Sequence, residues 1–212
     1  MESISLIERV AKRAAPGRTP SFKEVHVLKA LELISSGPRV GRKRLGELLG
    51  LGEGVVRTLL RHLQGEGLIE VARKGVGLTG RGGSLLAALR AYVSIGAEVP
   101  RSPLTIGPKN FAVLVRGAGD HVQSGVEQRD AALRAGALGA TTLVFEGERL
   151  ILPGMEEPLP AAEEVYDLLL SRLRPKRGDV IIIGSSHDIL SAELGVKTAA
   201  LELLKSMKNT GD

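Results

Sequence analysis

The amino-acid sequence predicts an α+β fold with two domains. Residues 21–65 carry apolar side chains at the spacing of amphipathic helices, and residues 67–79 have the pattern of two short strands joined by a basic turn. From residue 109 onward, apolar runs typical of buried strands alternate with helical segments. The length of 212 residues suits one or two domains. We therefore assign residues 1–95 to a first domain, the proline-containing stretch 96–108 to a linker, and residues 109–212 to a second domain.

Composition excludes several classes of function. The chain has no Cys, which rules out disulfides, thiolate zinc sites and Cys nucleophiles. With 2% aromatic residues, a platform that stacks nucleic-acid bases is not expected. No apolar run approaches the length that spans a bilayer, and the first residues lack the pattern of a signal peptide. We therefore expect a cytoplasmic protein that makes no membrane contact and holds no cofactor.

Two further features of composition bear on origin and partners. Arg outnumbers Lys by 19 to 10, and the chain has only two Asn and three Gln, which is typical of heat-adapted proteins. Charge is also uneven, because residues 1–104 carry 17 basic and 9 acidic side chains, whereas residues 105–212 carry 12 and 15. A net charge of +8 on one half favours a polyanionic partner for that half, although an Arg-rich surface alone would give the same count.

The basic half contains three predicted helices. The first runs from Ser21, its expected N-cap, to Ile34, and Gly37-Pro38 ends it. The second covers Val40 to Leu49, and the third covers Glu53 to Gly65. The third helix places four apolar side chains on one face: Val56, Leu59, Leu60 and Leu63.

The order helix, helix, turn, helix, hairpin is that of a winged helix-turn-helix. The segments LGELLGLGEGVVRTLLRHLQGEGLIE and GLTGRGGSLL resemble the DNA-binding module of bacterial and archaeal transcription regulators. This resemblance covers about residues 21–90. It implies that the third helix enters the major groove of double-stranded DNA with its N-terminal part.

The resemblance also implies which residues contact DNA. Arg57 is the best candidate for reading a guanine edge, since a guanidinium pairs with two guanine acceptors. Glu53 departs from the pattern, and we interpret it as a helix-start residue favoured by the dipole. Phosphate contacts are expected at the start of the second helix and in the wing. The full set of expected DNA-binding residues is Arg42, Lys43, Arg44, Gly54, Arg57, Thr58, Arg61, Arg73, Lys74 and Arg81.

Alternatives remain for this half. A winged helix also serves as a protein-interaction module, although such modules often lose the basic face. His62 lies beside the apolar stripe and is expected to pack or face a phosphate rather than ligate a metal. The flanking helices 3–14, ended by Pro16-Gly17, and 84–95 are strongly apolar. We expect one or both to form a homodimer interface, with packing against the chain's own second domain as the alternative.

The second half reads as β-α-β-β-α-β-α, the order of a ferredoxin-like domain followed by one more helix. Strands are predicted at 110–116, 141–145, 149–152 and 179–183, and helices at 122–136, 161–173 and 189–207, the last with a break near Gly195. A mixed sheet with another strand order remains open. By analogy of fold alone, such domains sense ligands for DNA-binding partners.

Two polar loops follow predicted strands, at residues 117–121 and 184–188. Each leads toward a helix whose free backbone N–H groups gather there. We expect these loops to line a pocket for a small polar or phosphorylated effector, unless their polar residues are simple helix caps. The expected ligand-binding residues are Asp120, His121, Glu127, Arg129, Asp130, Ser185, Ser186, His187 and Asp188.

An enzyme is the second class considered. Ser185, His187 and Asp188 are adjacent in one loop, which is a poor geometry for a triad, and no G-x-S-x-G elbow is present. His121 and His187 have no diagnostic metal spacing. We therefore expect no catalysis. The alternative is a small-molecule enzyme or metabolite-binding protein that uses residues 117–130 and 184–188, with the winged helix as a protein-interaction module.

The whole layout resembles a group of uncharacterised archaeal proteins that join an N-terminal winged helix to a C-terminal domain of unknown function. The segments GVEQRDAALRAGALGATTLVFEG and GDVIIIGSSHD carry this likeness. It implies an archaeal origin and a regulator role. With the other observations, we expect a dimeric transcription regulator whose C-terminal domain senses a ligand or mediates assembly.

Overall fold

The computed structural model describes residues 2–12, 21–37, 39–158 and 162–209. The chain divides into two compact units, one ending at Arg90 and the other beginning at Ala91. The α+β class is confirmed. The elements of the first unit are α1 (Glu2–Lys12), α2 (Glu24–Ser35), α3 (Arg42–Leu49), α4 (Glu53–Gly65), β1 (Ile69–Ala72), β2 (Gly75–Leu78) and α5 (Gly80–Arg90).

The predicted order of helices and hairpin is confirmed, and α4 has the predicted bounds. Its four apolar side chains are buried, and His62 is buried beside them with its ring at the edge of Phe22. Nδ1 of His62 lies 3.0 Å from the carbonyl oxygen of Val10, to which it donates. His62 is therefore a packing residue that joins α4 to α1.

Two predicted helix boundaries are wrong. Ser21 is not the N-cap of α2, because the helix starts at Glu24 and the Lys23 N–H is accepted by Nδ1 of His26, 3.0 Å away. The helix predicted at 84–95 starts earlier, at Gly80, and ends at Arg90. Val93, which already belongs to the second unit, forms a β-bridge with Val115 of the same unit. Pro16-Gly17 and Pro38 lie outside the described residues.

The wing contains a third extended segment. β1 and β2 pair antiparallel, and Val40, just before α3, bridges to Val76 of β2 through N–H···O bonds of 3.0 and 3.4 Å. The hairpin is thereby tied to the start of α3 as well as to the end of α4.

The flanking helices pack inside their own unit. Ile4, Ile7 and Val10 of α1 are buried, and α1 contacts α2, α4 and α5. The apolar side chains of α5, such as Leu85 and Leu89, are buried as well. The chain itself therefore covers these parts of the two faces that we expected at a dimer interface, whereas Tyr92 and Ile95, after the end of α5, stay exposed.

The second unit contains β3 (Ala97–Val99), β4 (Lys109–Val115), a 3₁₀ turn (Gly119–His121), α6 (Val126–Arg134), β5 (Gly139–Phe145), β6 (Leu150–Ile151), α7 (Glu163–Leu173), β7 (Val180–Ser186) and α8 (Ile189–Asn209). After β3, the order of strands and helices is the predicted one. α8 is continuous through Gly195, where a break was predicted.

The sheet order is β3-β4-β7-β5-β6, with every neighbouring pair antiparallel. This is not the ferredoxin-like order, in which the first and third strands of the β-α-β-β-α-β unit are central. Here the last strand is central, and the first and second strands flank it. All seven residues of β7 are buried, which suits a strand covered on both faces. The ferredoxin-like expectation is therefore wrong in strand order.

Helices cover both faces of this sheet. On one face, α7 packs Val165, Leu169 and Leu173 against Leu114 and Ile181. On the other face, α8 lies on β4 and β7, and α6 lies on β5 and beside α8. The predicted linker at 96–108 includes β3, which pairs with residues 110–112 at the edge of the sheet.

Candidate nucleic-acid interface

A cationic groove lies between α4, the β1–β2 hairpin and the start of α3. Its volume is about 610 Å³. Arg57 and Arg61 are one helical turn apart on α4, so both side chains reach this groove. Arg42 of α3 borders it as well, and Arg73 and Lys74 come from the turn of the hairpin. Five of the expected DNA-binding residues thus converge on one surface.

No acid among the described residues neutralises these cations. Arg57 and Arg61 are exposed, and neither forms an ion pair or hydrogen bond with the residues that the structure describes. The same holds for Arg42, Arg73 and Lys74 within that part of the chain. Elsewhere, exposed arginines pair with acids, as Arg9 does with Glu66, Arg134 with Glu202, and Arg149 with Glu157. The unpaired charges of the groove remain available to a polyanion.

The other expected DNA-binding residues lie outside the groove. Lys43 and Arg81 are exposed at the first turns of α3 and α5. Arg44 is bound to Glu47 at 3.2 Å, which reduces its availability. The Thr58 side chain is half-buried. Its hydroxyl donates to the carbonyl oxygen of Gly54 at 3.1 Å, so the hydroxyl is already engaged.

Arg39, which the sequence analysis did not single out, fixes the wing. Its guanidinium pairs with Glu70 of β1 and donates to the carbonyl oxygen of Gly75 at 3.3 Å. Gly75 has φ of 120°, and a Cβ there would lie 2.9 Å from the Val40 carbonyl oxygen. Only glycine fits this close approach. The sequence signal for this close approach is the glycine of the Arg73-Lys74-Gly75 turn.

The two polar loops of the second unit do not form one pocket. β4 and β7 are antiparallel, with Lys109 opposite Ser186 and Val115 opposite Val180. The loop after β4 and the loop after β7 therefore lie at opposite ends of the sheet. Seven strand residues separate them by about 20 Å. The prediction that both loops line one effector pocket is therefore wrong. For the same reason, His121 and His187 do not share a site.

The residues after β7 serve the fold. Ser185 and Ser186 are buried within the strand rather than in a loop, and the Ser185 hydroxyl donates to Oδ1 of Asn110 at 2.7 Å. Asp188 caps α8 by accepting the Ser191 N–H at 2.9 Å. Hydrogen bonds from Ser191 hold the pKa of Asp188 below its usual value. His187 is exposed beside this cap.

His121 and Glu127 do share a smaller cleft at the other end of the sheet. The cleft has a volume of about 270 Å³ and includes Gln128 of α6 and Glu202 of α8. Arg129 and Asp130 instead pair with each other at 3.0 Å on the outer side of α6, and Asp120 is exposed on the 3₁₀ turn. Gln128 and Glu202 were missed because their proximity depends on the packing of α6 against α8.

Comparisons with known proteins found matches to two family models and to a solved structure. A family model described as the PH0730-like N-terminal domain matches residues 27–84, and a domain of unknown function, DUF4443, matches residues 106–203. Each match falls within one of the two units. A comparison with curated proteins found no match.

The chain is also similar to a solved structure, the hypothetical protein PH0730 from the thermophilic archaeon Pyrococcus horikoshii OT3. The two chains are 28% identical with a TM-score of 0.73, over 87% of this chain and 94% of the other. The two-domain layout fits this neighbour. Within the described residues, no helix combines the length and apolar character needed to cross a membrane.

Proposed function

We propose that this protein is a DNA-binding transcription regulator whose N-terminal unit holds double-stranded DNA against the groove of α4 and the wing. The observation that carries the proposal is the set of unpaired cations around the groove. Three elements consecutive in the chain contribute them, so they form a single surface. Cations that no acid neutralises are the groups that displace counterions from DNA phosphates.

The geometry favours DNA over a protein partner. A protein-binding surface has a core depleted of charge and enriched in apolar or aromatic side chains. The groove instead has Arg57, Arg61 and Arg73 around its lining, and Val71 is the large exposed apolar residue beside them. The wing is fixed to α3 through Val40 and Arg39, so the hairpin cations have a defined position relative to α4.

Fluorescence anisotropy with labelled duplex DNA tests this proposal. Replacing Arg57 and Arg61 together by Ala is expected to weaken duplex binding at least tenfold at low salt, because the DNA contact of Arg57 and a phosphate contact of Arg61 are lost. Arg172→Ala, which removes an exposed cation of α7 in the other unit, is the matched control and leaves the affinity unchanged. Equal affinity for wild type and the double variant would contradict the proposal.

The cleft at His121 supports a sensing role for the second unit. Gln128 at the cleft is buried, and its side-chain oxygen has no hydrogen-bond partner among the residues that the structure describes. Glu127 adds negative charge, whereas Glu202 is paired with Arg134 at 2.7 Å. These groups favour a small compound that donates hydrogen bonds or carries a positive charge over a phosphorylated one.

Isothermal titration calorimetry with amines and with phosphorylated metabolites tests this second role. Heat is expected with donor-rich cations and is reduced by Glu127→Gln, which removes one negative charge. Binding of phosphorylated compounds alone would contradict the assignment of ligand class.

A further inference from the structure

The outer face of α6 combines exposed apolar side chains with charged ones, and no other element of the described chain covers it. Val126 and Leu133 are 41% and 46% exposed. They are seven residues apart, so they lie two turns apart on the same side of the helix. Apolar side chains spaced in this way on a surface helix are typical of a helix that packs against a partner.

The apolar surface continues beyond the helix. Ile106 is 65% exposed and Leu138 is 36% exposed. Ile106 Cδ1 and Arg129 Cγ lie 2.8 and 3.8 Å from the position that a Cβ would take at Gly139, so the two side chains flank one point of the sheet edge. The patch therefore extends from α6 to the start of β5. A patch larger than scattered single residues marks an interaction surface.

The charges at the centre of this face are self-complementary. Arg129 and Asp130 lie midway between Val126 and Leu133 and pair with each other at 3.0 Å. If a second α6 lies antiparallel about a two-fold axis between these positions, Val126 of each copy meets Leu133 of the other. The same rotation sets each Arg129 against Asp130 of the other copy. A two-fold interface requires a surface complementary to itself.

We propose that the outer face of α6, with Ile106 and Leu138 beside it, is the contact surface for a second copy of this chain. The two copies pack α6 against α6 antiparallel and form a four-charge network from Arg129 and Asp130 of both. This inference does not depend on DNA binding by the other unit. It also locates the dimer contact elsewhere than the flanking helices α1 and α5, whose apolar faces are buried within the chain.

Sedimentation equilibrium of the full chain tests the proposal through charge reversal. Wild type is expected to reach twice the 22.4 kDa chain mass at micromolar concentration. Arg129→Asp or Asp130→Arg alone places like charges across the axis and is expected to raise the dimer Kd at least about tenfold. The double swap of both residues restores opposite charges and recovers most of the affinity.

Two additional variants separate the contact from the fold. Leu133→Glu is expected to give a monomer with an unchanged circular dichroism spectrum, whereas Met155→Glu, at an exposed apolar residue outside this face, leaves the dimer intact. A monomeric wild type, or a dimer that survives both single reversals, would overturn the proposal. So would a double swap that stays monomeric while folded. The result of the DNA-binding assay with the Arg57 and Arg61 double variant does not depend on the result of these dimer tests.

Discussion

Single residues explain the motif that closes the wing. In the segment Leu78-Thr79-Gly80-Arg81-Gly82, Thr79 is the N-cap of α5 and accepts the Gly82 N–H at 3.1 Å, while its hydroxyl donates to the carbonyl of Gly67 at 2.6 Å. Gly82 lies against the backbone of Leu68, where an added Cβ would collide with the carbonyl oxygen. The short motif thus encodes the close contact between α5 and the segment before β1.

We predict opposite effects for two neighbouring glycines of α5. Gly82→Ala is expected to lower the free energy of unfolding by roughly 1–3 kcal/mol, because the backbone of Leu68 must shift. Gly83→Ala adds a Cβ in open space and is expected to raise it by up to about 1 kcal/mol through helix propensity. Calorimetric unfolding of both variants checks this, and similar stability for the two would contradict the packing described.

His26 predicts a dependence of stability on pH. Burial lowers the pKa of His26, and the Lys23 ammonium acts in the same direction. Because the folded pKa is below the unfolded value of about 6.5, stabilisation is complete above that pH. It is lost as the pH falls from there toward the folded pKa, since the unfolded chain binds the proton more readily.

The matched variant is His26→Gln, which keeps an acceptor for the Lys23 N–H but does not titrate. Unfolding midpoints measured by calorimetry are expected to fall more for wild type than for this variant between neutral pH and pH about 5. Parallel curves for the two proteins would exclude a role for His26.

At the scale of elements, the periodicity of apolar residues predicted the helix faces that depend on local sequence spacing. The buried face of α4 follows from Val56, Leu59 and Leu63, and its bounds were predicted without error. The end of α5 was predicted wrongly, because the apolar run continues past Arg90 to Val93. Val93 is not helical and forms a β-bridge with Val115. Apolar spacing alone does not distinguish a buried helix turn from a strand-like segment.

The elements around the groove predict a division of labour between α4 and the wing. Arg57→Ala is expected to reduce binding to the specific site by roughly 1–3 kcal/mol relative to random DNA. Lys74→Ala, at the hairpin turn, is expected to weaken binding to all sequences alike. Competition assays with a selected site and random duplex distinguish the two. Equal losses on both DNAs for both variants would remove this division.

At the scale of the whole molecule, the pairing of strands that are distant in sequence could not be predicted from the sequence. The order of elements after β3 was predicted, whereas β3 itself and the central position of β7 were not. The two polar loops looked equivalent in sequence, yet the antiparallel register of β4 and β7 separates them. By contrast, the DNA-contact candidates Arg42, Arg57 and Lys74 come from elements close in sequence, and the fold brings them together.

The most direct test of the central claim is the salt dependence of duplex binding by the full chain. Five cations that form no ion pair within the described part of the chain line the groove: Arg42, Arg57, Arg61, Arg73 and Lys74. If Arg57 contacts a base edge and the other four each meet a phosphate, the logarithm of the binding constant is expected to fall with the logarithm of salt concentration with a slope of about −4. Removing one cation is expected to reduce the slope by about 1. A slope near zero, or no retention of any duplex at low salt, would contradict the account.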